Sequence, residues 1–187
     1  DKNQDLTLLS QQIAQCKTTL KELQTTANES TSQAFSLQPL QSYFDQLFER
    51  WHLMRPELKA TISYSENLIP APDLRFHPTV AQSILNLLNN ASDASPNLVE
   101  VSIAWTEAEI TIQIKDQGEG FNKPDTDDIG KPFYSNKAEG LGLGLFLSQS
   151  TVTRFGGSIN LQNREDGGTL TTINLPVNLS ASDGTSA

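Results

Sequence analysis

Leu6, Leu9, Ile13, Cys16, Leu20 and Leu23 follow one another at alternating steps of three and four residues. This spacing predicts a helix over residues 1–30 with one apolar seam, of the kind used in coiled coils and helical bundles. Such a seam needs a partner helix, from a hairpin or from a second copy. The polar residues 28–38 read as a linker, and a second domain begins near Phe35. Leu40, Phe44, Leu47, Phe48 and Trp51 then recur at helical spacing behind Pro39, and Arg55-Pro56 ends that helix. Ala60, Ile62 and Tyr64 alternate as in a short strand, whereas residues 68–77 read as a loop. Pro78 opens a helix to about Ala94, its buried side built from Val80, Ile84, Leu85, Leu87, Leu88 and Ala91. Val99, Val101, Ile103 and Trp105, then Ile110, Ile112 and Ile114, predict a hairpin with one covered face. Ile159 and Leu161 start another strand, Asp166-Gly167-Gly168 turns the chain, and Thr169, Thr171, Ile173 and Leu175 return. The small, polar residues 178–187 read as a disordered tail.

Several polar or glycine positions interrupt this pattern. Asn86, Asn90 and Asp93 are spaced so that they share one face of an otherwise apolar helix. Asn is a poor mid-helix former, so the face either is simply solvated or meets a ligand. Asp116 continues the inward parity of Ile114, where an unpaired carboxylate would be costly. Gly118 and Gly120 follow and leave room for a flat ligand, although Asp-x-Gly is also ordinary turn chemistry. Residues 121–139 lack periodicity, as lids do, and Lys137 near their end is within reach of a phosphate. Gly140-Leu141-Gly142-Leu143-Gly144-Leu145 comes next, before a helix over 146–154 that closes at Gly156-Gly157. Glycine allows close backbone approach, and a helix start presents unpaired N–H groups and partial positive charge to a phosphate. The plainer reading is a turn with two core leucines. The segment fits neither G-x-x-x-x-G-K-[ST] nor G-x-G-x-x-G, because Leu145 and Leu147 stand where a third glycine is required.

A length of 187 residues fits one domain with an appendage, and a net charge of −9 argues against a nucleic-acid partner. The single cysteine excludes an internal disulfide and fits a reducing compartment. Cys16 lies on the seam, either as a small packed hydrophobe or as a thiol facing its symmetry mate. No apolar run reaches the ~18 residues of a membrane span, and no signal peptide opens the chain. The start at Asp1, without Met and already in a helical pattern, suggests a piece of a longer protein and leaves room for an upstream membrane anchor.

Five motifs in order resemble the ATP-binding domain of the sensor histidine kinases, within the wider gyrase/Hsp90/histidine-kinase/MutL group. Asn86-Leu87-Leu88-Asn89-Asn90-Ala91 resembles the N box, and Asp116-Gln117-Gly118-Glu119-Gly120 the first glycine box, D-x-G-x-G. Lys131-Pro132-Phe133-Tyr134-Ser135-Asn136-Lys137 resembles the F box, with Asn136 where Thr is usual. Residues 140–145 resemble the second glycine box, and Gly168-Thr169 the G-T pair of the last strand. The match covers about residues 35–177. The wording around it, Trp51 with Arg55-Pro56 and then Asn90-Ala91-Ser92-Asp93-Ala94-Ser95-Pro96, is similar to the redox-responsive RegB/PrrB-type kinases.

The resemblance implies an α/β sandwich of the Bergerat type, a mixed sheet covered by helices, over residues 31–177. Residues 1–30 would be the second helix of a dimerisation hairpin, through which the full-length protein forms a homodimer. Asp116 would accept from the adenine amino group, with Thr169 nearby. Asn90 would hold Mg²⁺, supported by Asn86 and Asp93. Lys137 and the backbone of Gly140, Leu141, Gly142, Leu143 and Gly144 would hold the phosphates of ATP, beside Gly118 and Gly120. Asn86, Asn90 and Lys137 are thus the catalytic candidates, and Cys16 the redox candidate. The H-[DE]-x-x-[ST]-P phosphoacceptor box is absent: His52 and His77 stand in other contexts and read as structural. The implied protein is a cytoplasmic kinase fragment that passes a phosphoryl group to a histidine outside this chain and on to a response regulator. Hydrolysing members carry Glu four residues before the Mg²⁺-binding Asn; here that position is Asn86, which cannot act as a base. The competing implications are an energy-coupled ATPase of the same group and a non-autophosphorylating nucleotide-binding regulator.

Overall fold

A computed structural model describes residues 37–65, 68–95, 98–120 and 143–177. The chain divides between Phe35 and Ser36, and every described residue belongs to the second unit. The seam helix with Cys16, the F box, Lys137, Gly140, Leu141, Gly142 and the carboxy-terminal tail therefore lie outside the described residues.

The elements are β1 (Gln38–Pro39), α1 (Leu40–Met54), β2 (Ala60–Tyr64), β3 (Asp73–Leu74), α2 (Pro78–Ala94), β4 (Val99–Trp105), β5 (Glu109–Lys115), α3 (Leu143–Arg154), β6 (Ser158–Asn163) and β7 (Thr169–Pro176). Five strands form one sheet in the order β2-β4-β5-β7-β6. The β2–β4 pair is parallel and the other pairs are antiparallel, so the sheet is mixed. Ile103 opposes Ile112, Ile112 opposes Ile173, and Ile173 opposes Ile159. This register puts one apolar row across the sheet, and the strand period of two sends the alternate side chains to the other face. Val99, Val101, Ile103, Ile110, Ile112, Ile114, Ile173 and Leu175 are almost wholly buried. Burial of each such side chain stabilises by about 1.5–3 kcal/mol relative to exposure.

The helices cover that apolar face. α2 contributes Val80, Ile84, Leu85, Leu87, Leu88 and Ala91, and α1 contributes Leu40, Tyr43, Phe44, Leu47, Phe48 and Trp51. α2 lies against α1, α3 and β5, and α3 against β6. The result is the expected two-layer α/β sandwich.

Three local expectations change. Residues 68–77 contain β3, which pairs with β1 at the end of the stretch read as linker, and the Leu40 N–H donates to the Pro72 carbonyl at 3.0 Å. Two-residue strands beside prolines are too short to leave a periodic signature. β2 has no buried face, since Ile62 is 37% exposed; it is an edge strand held by its backbone ladder to β4. α3 begins at Leu143 instead of 146, so Leu143, Gly144 and Leu145 form its first turn.

Candidate functional site

Asp116 stands just past the end of β5 and is 4% exposed. The Gly118 N–H and the Thr169 N–H each donate to its Oδ1 at 3.0 Å. Its own N–H donates to the Thr169 carbonyl at 3.0 Å, and its carbonyl accepts from Arg164 Nη1 at 2.8 Å. Both carboxylate donors meet Oδ1, which leaves Oδ2 without a donor among the described residues. A carboxylate oxygen of that kind is available to a further donor.

Glycine makes this arrangement sterically possible. A Cβ on Gly118 would stand 2.8 Å from the Ala94 carbonyl oxygen and 2.9 Å from the Ala94 Cβ. The D-x-G-x-G turn is thus pressed against the carboxy-terminal end of α2. Gly168 has φ +82° and would drive a Cβ into the Asp116 carbonyl. Gly120, at φ +75°, would place one 2.7 Å from Asn163 Oδ1. The turn is held between α2 on one side and the β6–β7 connection on the other.

On α2, Asn86 is half-buried while Asn90 and Asp93 are exposed. Gln82 Nε2 donates to Asn86 Oδ1 at 3.4 Å. Asp93 is paired with Arg55 at 2.7 Å, so its carboxylate already has a cation beside it. Trp51 Nε1 donates to Asn89 Oδ1 at 3.2 Å. Two contacts from the end of α1 therefore bracket Asn90, which stands one helical turn before Ala94.

Gly144, in the first turn of α3, has nothing within 4 Å of where a Cβ would lie. Protein packing among the described residues therefore does not require glycine there. Ser148 Oγ donates to the Ser83 carbonyl at 3.4 Å and fastens this helix to α2. Leu143 belongs to the same turn.

His77 is not placed as a nucleophile. It caps α2: its Nδ1 accepts from the Thr79 N–H at 3.3 Å, and its ring lies 5.3 Å from that of Phe155. Burial, and then the positive charge of Arg154, lower its pKa below the ordinary 6.5. His52 is exposed in the last turn of α1.

The structure adds Arg164 to the residues singled out in the sequence, and gives Ala94, Asn89 and Trp51 contacts that the sequence did not show. Arg164 bridges the Asp116 carbonyl and Asp166, donating from Nη2 to Asp166 Oδ2 at 2.6 Å. That hydrogen bond holds the exposed Asp166 carboxyl below its ordinary range. A charge in a Gly-rich turn reads as solvated, so no sequence signal marked Arg164. Trp51 was legible as a core position but not as a donor.

A two-layer sandwich with a buried acceptor between glycines, beside an Asn-bearing helix, defines a nucleotide-binding domain. The profile of the family described as "Histidine kinase-, DNA gyrase B-, and HSP90-like ATPase" matches residues 77–179, and the chain belongs to this family. Among curated proteins it is 33% identical over 115 residues to Sensor histidine kinase ZraS of Escherichia coli (strain K12), covering 60% of this chain and 25% of that one. It is 28% identical over 151 residues to Sporulation kinase B of Bacillus subtilis (strain 168), covering 74% of this chain and 35% of that one. The chain thus spans about a quarter to a third of these relatives. Its fold matches a mycobacterial sensor histidine kinase, MprB, with TM-score 0.62 at 20% identity, over 79% of this chain and 100% of that one. It also matches the catalytic domain of histidine kinase ThkA, with TM-score 0.60 at 19% identity, over 72% of this chain and 94% of that one. The described unit is a histidine-kinase-type ATP-binding domain.

Proposed function

We propose that this chain is the catalytic fragment of a two-component sensor histidine kinase, and that it presents ATP to a histidine carried outside it. The observation that carries the reading is Asp116, buried at 4% exposure with both recorded carboxylate donors on Oδ1. The exocyclic amino group of adenine is a donor of the right kind for Oδ2. Gly118, Gly120 and Gly168 let the turn pack closely around that carboxylate, and Thr169 fixes it through its backbone. Gly140, Leu141, Gly142, Leu143 and Gly144 offer amide hydrogens to the phosphates, with Lys137 as the counter-charge.

Asn90 is the proposed Mg²⁺ ligand, with Asn86 in support. Mg²⁺ takes oxygen ligands, keeps several waters and needs only one or two from protein, so one exposed amide carbonyl on α2 suits it. Asp93, paired with Arg55 at 2.7 Å, is the proposed further support of that shell. Bound Mg²⁺ would neutralise phosphate charge. Neutral imidazole is already a nucleophile, so these residues supply positioning and charge compensation. A bond forms from an imidazole nitrogen to the γ-phosphorus as the bond to ADP breaks. Asn86 offers no base to activate water, which favours the kinase over the ATPase.

The wider reading is carried by the resemblance. It has a homodimer formed through the amino-terminal hairpin, an onward transfer to a response regulator receiver, a cytoplasmic site of action and an anchor upstream in the inner membrane. Redox control through Cys16 of the RegB/PrrB kind belongs to the same reading, and no nucleic-acid partner does. Among the described residues no helix is long and apolar enough to cross a membrane. To test the central step, the chain is mixed with a separate protein carrying an H-E-x-x-[ST]-P helix and with γ-phosphate-labelled ATP. Label is expected on that helix, lost with Asn90→Ala. Stable label on this chain, or hydrolysis without transfer, would contradict the proposal.

A further inference from the structure

Asp116 has its polar groups tied to one turn. Its N–H donates to the Thr169 carbonyl, its Oδ1 accepts from the Thr169 N–H, and its carbonyl accepts from Arg164 Nη1, at 3.0, 3.0 and 2.8 Å. The first two contacts are backbone to β7 and would survive a change of side chain in the turn. The third is a charged side chain reaching back across the β6–β7 connection. The Arg164 side chain is only 19% exposed, although its turn is at the surface. Its own N–H donates to the Gly168 carbonyl at 3.0 Å, which fixes the root of the side chain beside the same glycine that abuts Asp116.

A surface arginine that only paired with Asp166 would be ordinary, since exposed ion pairs contribute little. Here the guanidinium fork is split: Nη2 goes to Asp166 Oδ2 and Nη1 to the Asp116 carbonyl. Two directed donors on a planar group set an orientation that a single ammonium cannot. Asp166 thereby aims the fork, and the fork sets the peptide that carries the buried carboxylate.

We propose that Arg164 is a positioning residue for base recognition: by holding the Asp116 carbonyl it directs Asp116 Oδ2 at the exocyclic amino group of adenine. The inference rests on the ATP-binding reading above. It also predicts what Arg164 governs, namely the preference for an amino group over a carbonyl at the six-position of the purine. Inosine triphosphate carries that carbonyl and keeps the ring, sugar and phosphates, so it brings no six-amino donor to Asp116 Oδ2. A loss of turn stability would weaken both nucleotides alike, whereas a loss of Asp116 aim weakens only ATP.

The test is titration calorimetry of the 187-residue chain with Mg-ATP and with Mg-inosine triphosphate, for wild type, Arg164→Ala and Arg164→Lys. Thermal melts run alongside to establish folding. Wild type is expected to prefer ATP. Arg164→Ala is expected to lose about tenfold in ATP affinity, as misplaced positioning groups do, with inosine triphosphate affinity unchanged. Arg164→Lys keeps a single donor nitrogen and recovers part of the preference. In an Asp116→Asn background Arg164→Ala should cause no further loss. An unchanged preference in Arg164→Ala, or an equal fall for both nucleotides, would overturn the role of Arg164 while leaving the ATP reading intact. A wild-type chain that does not distinguish the two nucleotides would overturn the reading of Asp116 and this inference with it.

Discussion

Gly167 and Gly168 are neighbours in one turn and both have positive φ, at +93° and +82°, yet they do different work. A Cβ on Gly167 would meet nothing within 4 Å, while one on Gly168 would strike the backbone of Asp116. Gly167→Ala therefore carries only the left-handed backbone penalty, about 1 kcal/mol. Gly168→Ala adds a collision with main chain that cannot rotate away, and should cost more than about 2 kcal/mol. Urea unfolding of the two variants checks this; equal costs would show that Gly168 does not support Asp116. At this scale the D-x-G-x-G box and the G-T pair were readable, because parity put Asp116 inward and glycine signals close approach. What could not be read was that Asp116 is held by Arg164, a contact across 48 residues of sequence.

Helices α1 and α2 carried clear apolar stripes, and their existence and buried faces follow the periodicity. The sequence does not reveal how they are locked together. Trp51, 2% exposed, gives its indole N–H to Asn89. Trp51→Phe leaves that acceptor without its donor and should destabilise by about 1 kcal/mol or more through lost hydrogen bonding and packing. The Arg55–Asp93 side chains are 30% and 39% exposed, so water screens them. A double-mutant cycle on that pair, read by chemical denaturation, should give a coupling below about 1 kcal/mol. A large coupling together with a neutral Trp51→Phe would reverse the assignment of which contact holds the helices.

The start of α2 adds a pH dependence. His77 accepts from the Thr79 N–H through Nδ1, which requires a free lone pair, and its pKa is lowered in the fold. The unfolded chain therefore takes up this proton more readily than the folded one. The stabilisation is complete above the ordinary value of 6.5 and is lost as pH falls through the lower folded value. His77→Ser retains a capping oxygen that does not titrate. Melting curves at pH 7.5 and about pH 5 should show wild type losing more stability than the variant. A variant that loses as much would remove His77 from the account. By contrast, β1 and β3 gave no signal, since two residues span no alternation, and β2 was legible only as a strand, not as an edge.

For the whole molecule, the site is assembled from parts far apart in sequence: Asn86 and Asn90 on α2, Asp116 after β5, Gly144 on α3 and Thr169 on β7. The motifs were recognisable one by one, and their order supported the family. Their convergence depends on the sheet order, in which β7 inserts between β5 and β6 and so sets Thr169 against Asp116. No local pattern encodes that insertion. Several of the expected phosphate-binding groups, Lys137 among them, lie outside the described residues; Asp116 is the described group of the site with the most hydrogen bonds around it. The decisive measurement is calorimetric titration of the chain with Mg-ATP, beside Asp116→Asn, which keeps Oδ1 and replaces Oδ2 by a donor. The account predicts single-site binding to wild type and at least about 100-fold weaker binding to a folded Asp116→Asn chain, because donor would then face donor. No heat with wild type, or equal affinity for both proteins, would contradict it.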